Sequence, residues 1–410
     1  MKLSRLLPAF AVVGIVLTAC GGSNNNTGGA TPSATVPSDL SINSFSADFS
    51  YMPKLKDLVG AGKGKVGVIL PDTTSSVRYV QFDQPYLQKA FDQAGYSSSD
   101  YTIGNAQGQE AQELALAQAD ITNGATVLIM DPLNSTVGSQ IQQLAQSKGV
   151  KVISYDRATF TGTNTYYVSF DNVQVGELIG KGFLQCVTDW GVKNPQVFVL
   201  HGGQNSDPNA VSFAMGYNDA VWGQKVANVS KGATNSQGMT LVNEQVATDW
   251  KNDVGQTIFQ QAFTANPKIN ATIEANDGLG NAVVTVLKSK GVKAKTIPTT
   301  GQDATPDGMA NVLTDYQCGS VYKAVYLEAQ AAVALATVLR ANQTPPTALL
   351  NGTTTPPSGV SGSQQPAVLL VPIWVTKANM KDTVIKDNFV DKNTLCQKVT
   401  AAVCSAAGIS

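Results

Sequence analysis

Residues 150–182 read VKVISYDRATFTGTNTYYVSFDNVQVGELIGKG. The opening run 150–155 is apolar and β-branched, the pattern of a strand buried on both faces of a parallel sheet. It stops at the charged pair Asp156-Arg157, which therefore stands at a strand's carboxyl end. In open α/β sheets ligands bind at that edge, so an acid beside an arginine there is either a polar grip on a small molecule or a salt-bridged loop. Residues 166–170 begin another strand, and Asp171-Asn172 followed by VQVGELIGKG begins a helix. The chain is expected to pass here from one completed sheet into a new one.

The alternation extends in both directions. A strand is expected at 66–70, then a helix whose inner face carries Val80, Leu87, Ala90, Phe91 and Ala94 and which Gly95 stops. A strand at 101–105, a helix marked by Leu114, Ala117 and Ile121, a strand at 126–130 and a helix marked by Val137, Ile141 and Leu144 follow. Past Phe170 the same grammar gives helix 173–190, strand 196–200, helix 209–227, strand 239–245, helix 249–265, strand 271–274, helix 279–289, strand 296–302 and helix 306–313. The alanine-rich helix 326–341 returns to the first lobe, 342–366 is a Pro/Gly/Thr-rich connection, 368–375 a last strand and 380–386 a terminal helix. Repeated βα units imply α/β architecture, here two doubly wound parallel-sheet lobes with right-handed crossovers.

At 410 residues and a formal charge of −1, the chain is long enough for two cores and has no basic surplus for nucleic acid. Lys2 and Arg5 precede an apolar run, 6–17, too short to span a bilayer, and then comes Leu17-Thr18-Ala19-Cys20-Gly21. This resembles a bacterial lipoprotein signal. The resemblance implies that 1–19 is removed, that Cys20 is acylated, and that the protein is anchored by lipid outside the cytoplasmic membrane, in a periplasm or at a cell surface. Residues 22–50 are rich in Ser, Asn, Thr, Gly and Pro and read as a flexible tether, placed at 20–62. Cys186, Cys318, Cys396 and Cys404 lack zinc-site spacing and suit two disulfides in an oxidising compartment. Three pairings are open. The closeness of Cys396 and Cys404 about a short terminal helix favours joining those two, and Cys186 to Cys318.

The loops that close the strands carry the chemistry. They hold Arg78-Tyr79, Tyr155-Asp156-Arg157, Asp207-Pro208-Asn209-Ala210, Asp249-Trp250, Asn276-Asp277, Gly301-Gln302-Asp303 and Val321-Tyr322-Lys323. With VSFDNVQVGELIGK and the tail VTKANMKDTVIKDNF, this set closely resembles the xylose-binding family of bacterial sugar ABC importers, over roughly residues 65–389. The resemblance implies a type I periplasmic binding protein: two lobes joined by a three-crossing hinge, 63–169 with 321–345 and 170–320 with 346–410. It implies a monomer that closes on a monosaccharide and delivers it to the importer's permease and ATPase, with no cofactor and no metal. The sugar contacts it implies are Arg78, Tyr79, Asp156, Arg157, Asn209, Trp250, Asn276, Asp303 and the hinge residue Lys323.

The residues support that reading independently. Sugar hydroxyls both donate and accept, so Asp, Asn and Arg can hold adjacent pairs of them, each charged hydrogen bond contributing ~1.5–3 kcal/mol net. Arg78, Arg157 and Lys323 are offset by Asp156, Asp207, Asp277 and Asp303, which suits a neutral ligand. Trp250 offers an aromatic face for the sugar's C–H surface, or a core residue at a helix start. The family pattern has an arginine where this chain has Ala214, which would enlarge the pocket and favour a hexose such as glucose, unless water fills the space and xylose remains the ligand.

Other signals carry less. Gly62-Lys63-Gly64-Lys65-Val66-Gly67 precedes a strand, so it lacks phosphate-cradle geometry, and no Walker A sequence occurs. His201 has no nucleophile or metal-spaced partner and reads as structural. Three further roles remain open: a receptor that informs a chemotaxis or sensor protein, a glycosidase using Asp156 and Asp303, and a sugar-sensing repressor, which would need a helix-turn-helix where this chain has a signal and tether. Flanking cations would lower the carboxyl pKa values where a glycosidase needs a general acid with a raised one.

Overall fold

The computed structural model describes residues 34–409 apart from 205, so the signal, Cys20 and the start of the expected tether lie outside the described residues. In chain order the regular elements begin α1 (Lys56–Ala61), β1 (Lys65–Leu70), α2 (Gln84–Ala94), β2 (Tyr101–Asn105), α3 (Glu110–Thr122), β3 (Ala125–Met130), α4 (Ser135–Ser147), β4 (Lys151–Tyr155) and β5 (Thr165–Phe170). Then come α5 (Asn172–Asp189), β6 (Gln196–Gly202), α6 (Pro208–Trp222), β7 (Thr240–Ala247), α7 (Asn252–Ala265), β8 (Ala271–Glu274), α8 (Asp277–Ser289), α9 (Pro306–Leu313) and β9 (Ser320–Tyr322). The chain closes with α10 (Val325–Arg340), β10 (Gly352–Thr354), β11 (Gln365–Leu370), β12 (Ile373–Val375), α11 (Lys392–Lys398) and α12 (Ala401–Ala406).

One sheet has the order β10-β11-β5-β4-β3-β1-β2, parallel except where β10 meets β11. A second, fully parallel, runs β7-β6-β8, and β12 pairs antiparallel with β9. The strands that carry the site are apolar and buried on both faces, as parallel strands covered by helices must be. The strand β5 completes the first sheet beside β4 instead of starting a new one, and the crossing falls after it, at Asp171. Within the second lobe, Gly176 of α5 and Gly216 of α6 let the two backbones touch: a Cβ on either would collide with a main-chain oxygen of the other helix. Helix α10 is enclosed on all sides, which its run of alanines allows, and it packs on α2 and the first sheet.

Several further expectations change. The residues 34–62 are folded, not a tether: Leu40, Phe45, Phe49, Met52 and Leu55 are buried, Gln330 of α10 donates to the Ser46 carbonyl (2.9 Å), and the Phe49 ring lies 6.0 Å from that of Tyr86. A few large apolar anchors outweigh a polar average composition. The stretch 368–375 is not one strand. Residues up to Leu370 pair with β5 and those from Ile373 with β9, the break falling at Val371-Pro372, so 346–370 belongs with the first lobe. No regular strand forms at 296–302, because Pro298 lacks an N–H and the Thr300 hydroxyl and Glu274 carboxylate take up the ladder bonds beside β8 (2.8 and 2.7 Å). Val80 is exposed in a wide turn, Tyr79–Asp83, before α2 begins. The favoured disulfides, Cys186–Cys318 and Cys396–Cys404, are the ones present, the second joining α11 to α12 and not bracketing a single helix.

Candidate functional site

The first lobe contributes from the ends of β1 and β4, the two strands that flank β3. After β1, Asp72 accepts from the backbone N–H groups of Thr74 and Ser75 (2.7 and 2.6 Å) and from the Ser75 hydroxyl (2.6 Å), and the turn that follows carries Arg78 and Tyr79 inward. After β4, Asp156 takes a left-handed backbone, φ 55°, which turns its side chain and that of Arg157 into the cleft.

The second lobe answers from its own strand ends. Asp207 accepts from the Asn209 N–H (2.9 Å) at the start of α6, placing Asn209 in the first turn and Phe213 one turn on. Asp249 and Trp250 are both left-handed (φ 53° and 60°), and the indole lies on Gly202-Gly203, where a Cβ would collide with its ring. Its Nε1 donates to Asp207 (3.1 Å) and Phe213 meets it edge-on at 6.2 Å. Trp250 is thus held in a turn before α7, outside any helix interior. Asn276 caps α8 through its Oδ1, leaving the amide NH₂ free of that cap. Asp303, φ 88°, closes the ring with Lys323, which follows β9 at a crossing between lobes.

All nine residues expected from the sequence line one cavity, together with Ser75, Ser76, Asp207, Phe213 and Gln302. Only about 30 Å³ of it is open to the centre of a water molecule, because the lobes bond directly to each other. Asn209 donates to the Asp156 carbonyl (2.6 Å) and accepts from the Ala158 N–H (3.1 Å), and the Ser135 N–H donates to the Ser206 carbonyl (2.9 Å). Lys323 Nζ sits 3.4 Å from Asp156 of one lobe and 3.2 Å from Asp303 of the other. Arg157 donates to the carbonyls of Pro132 and Leu133 (3.2 and 3.1 Å) and to Ser75 (3.2 Å), and reaches Asp207 across the cleft at 3.8 Å.

Three cations here meet six carboxyls: Asp83, Asp131, Asp156, Asp207, Asp303 and Glu328. Burial alone would raise the pKa of Asp156, but Arg78, Lys323 and Arg157 outweigh it and hold the carboxyl at about 2. Burial wins at Asp131 and Asp207, which are pushed up, and at Glu328, pushed up to about 8. An upward shift at those three works against the acidic surplus. A carboxyl held at about 2 carries no proton to give, so Asp156 cannot serve as a general acid.

Three expectations shift at this level. Arg78 lines the cavity, but four of its five N–H groups are bonded to Asp83 (2.9 and 2.7 Å), Asp156 (2.7 Å) and Glu328 (2.8 Å), so it orients Asp156 and keeps one Nη1 donor for a ligand. Asp277 does not face the cavity; it lies behind it, accepting from Thr305, Gln317 and Ser320. Ala214 is fully buried in the core, and Phe213 holds the cavity wall instead, since consecutive helix positions point about 100° apart. Ser75, Ser76 and Gln302 were missed. The strand-end position of the polar run 72–76 was the available signal for the serines, and Gln302 stood inside the quoted loop motif. His201 is buried against Tyr217 and Glu244, away from this cavity.

Among the described residues no helix is long and apolar enough to cross a membrane. A family model described as a periplasmic binding protein domain matches residues 66–344. The chain is 32% identical over 296 residues to the D-xylose-binding periplasmic protein of Escherichia coli K12, covering 72% of this chain and 82% of that one. It is 28% identical over 340 residues to a multiple sugar-binding periplasmic protein of Azospirillum brasilense, covering 80% and 90%. Its fold is similar to that of a carbohydrate transporter solute-binding protein from Chloroflexus aurantiacus solved in complex with D-glucose, with a TM-score of 0.67 at 24% identity, covering 80% of this chain and 97% of that one.

Proposed function

This chain belongs to the periplasmic binding protein domain family, and on that premise we propose that it is an extracytoplasmic receptor, lipid-anchored through Cys20, that captures a neutral monosaccharide by lobe closure. It delivers the sugar, as a monomer, to the permease and ATPase of an ABC importer. The observation that carries this reading is the convergence of all nine expected residues, from both lobes, on one cavity. The cavity is lined by three cations, Arg78, Arg157 and Lys323, and three carboxyls, Asp156, Asp207 and Asp303, a balance that suits a neutral ligand. Gln302 Oε1 is buried without a donor, and Asp303 meets Lys323 only as an ion pair, so ligand hydroxyls would find acceptors there. The cavity is far smaller than the several hundred Å³ of a typical ligand pocket, so the sugar enters with the lobes apart. It then replaces direct lobe-to-lobe bonds such as Asn209 to Asp156.

The ligand is an aldopentose such as xylose or a related aldohexose such as glucose. The case for a hexose built on Ala214 loses its footing, because that methyl group does not border the cavity. Titration calorimetry of refolded, ligand-free protein against a panel of pentoses and hexoses tests the proposal. Saturable heat with one or a few of them is expected. Silence across the panel would overturn the receptor reading.

A further inference from the structure

Glu113 stands in the first turn of α3, fully buried, with no direct part in the cavity. Its Oε2 accepts from the backbone N–H of Leu133 (3.0 Å), while its Oε1 has no partner at all. A buried carboxyl so thinly satisfied costs stability that an apolar residue at the same place would not. Local rules are broken in this way where function requires a geometry.

The geometry concerned is that of the loop after β3. Residues 131–135 seat Arg157, whose guanidinium donates to the carbonyls of Pro132 and Leu133. The same loop reaches the other lobe, where the Ser135 N–H bonds to the Ser206 carbonyl. Its start is tied down by the Asp131 N–H on the Ile69 carbonyl (2.9 Å), and its end by the Asn134 side chain, which caps α4. Between those two anchors Pro132 has no N–H, so the Leu133 N–H is the one backbone donor available, and Glu113 accepts from it. Three residues earlier, at the start of α3, Glu110 accepts from the Asn134 amide (2.7 Å).

We propose that Glu113 is a positioning residue for ligand binding, fixing through Leu133 the peptide carbonyls on which Arg157 is seated. This inference rests on the reading of the cavity as a sugar site. With the acceptor gone, the two carbonyls lose their fixed spacing and Arg157 meets the ligand from a distribution of poses.

The test compares Glu113→Leu, which keeps the volume and removes the acceptor, with Glu113→Gln, which keeps an acceptor oxygen. Sugar affinity is measured by calorimetry and the melting temperature is taken without sugar. Glu113→Leu should bind about tenfold more weakly, the scale of one lost hydrogen bond, while Glu113→Gln stays within about twofold of wild type. A role confined to stability would move the melting temperature and leave the affinity alone. Affinity unchanged in Glu113→Leu, or lost equally in both variants, would overturn the inference. Should Glu113→Leu not fold, Glu113→Ala carries the same expectation, and failure of both to fold would place Glu113 in the stability of the lobe and overturn its positioning role. A wild-type protein that binds no sugar would instead overturn the receptor reading.

Discussion

Replacing Lys323 by methionine removes a cation that lies between a carboxylate of each lobe, at closer range than Arg157 lies to Asp131 and Asp207, while keeping most of the stem's volume. The Nζ lies 3.4 Å from Asp156 and 3.2 Å from Asp303, and all three side chains are buried. Burial lowers the lysine's pKa, but the two acids outweigh it and the value rises, so the ammonium is the charged partner in both pairs. At an effective dielectric of about 20, each pair is worth roughly 5 kcal/mol of gross attraction. Most of that is offset by desolvation, yet deleting one partner of a buried pair still costs about 3–5 kcal/mol because a charge is left uncompensated. Here the cleft opens and readmits water, so the loss to the closed, liganded state should sit at the low end, near 3 kcal/mol or roughly a hundredfold in Kd. Calorimetry reads the affinity, and small-angle scattering reads closure. Wild type should become more compact with sugar, whereas Lys323→Met should stay expanded at concentrations that saturate wild type. An affinity within about threefold of wild type with normal compaction would refute the bridging role, since Lys323 could then supply no link of this size between the lobes.

Two further outcomes follow from the sequence and the buried acids. Cys20→Ala should abolish incorporation of a radiolabelled fatty acid and release the protein from the membrane fraction; an unlabelled wild type would rule out the anchor. Burial pushes Glu113 and Glu274 up to about 8 and Asp277 up to about 7, from ordinary values of 4.5 and 3.8. Their folded values exceed the unfolded ones, so their contribution is fully present below about pH 4 and is lost as pH rises through 7 to 8. Asp156, held at about 2, works in the opposite sense, its share present above pH 3.8 and lost only as pH falls through 2. Urea unfolding at pH 5, 7 and 9 should therefore show stability falling on the alkaline side, with a slope of up to ~1.4 kcal/mol per pH unit for each group still titrating. Stability that is flat or rising from pH 5 to 8 would contradict the assignment.

The sequence by itself determined the two-lobe α/β architecture and the residues at the cleft. Both are written locally, in apolar runs that end abruptly in Asp156-Arg157, Asp207-Pro208-Asn209 or Asn276, and a parallel strand delivers whatever follows its carboxyl end to the same edge of the sheet. What pairs with what is not written locally. Residues 368–375 look like one strand, and only competition between β5 and β9 for partners divides them at Val371-Pro372. Leu40 and Phe49 look like isolated apolar residues in a polar leader until α2 and α10 offer a surface to cover. Phe213 and Ala214 are adjacent in the chain, and the tertiary packing of α6 against α5 selects which of them borders the cavity. Arg78 reads as a sugar contact, and only the fold shows that three acids, one of them on a helix 250 residues away, take four of its five donors. Glu113 carries no motif at all. Its meaning comes from a loop that folds over it from the next strand, because hydrogen bonding and burial depend on neighbours in space that the sequence does not order.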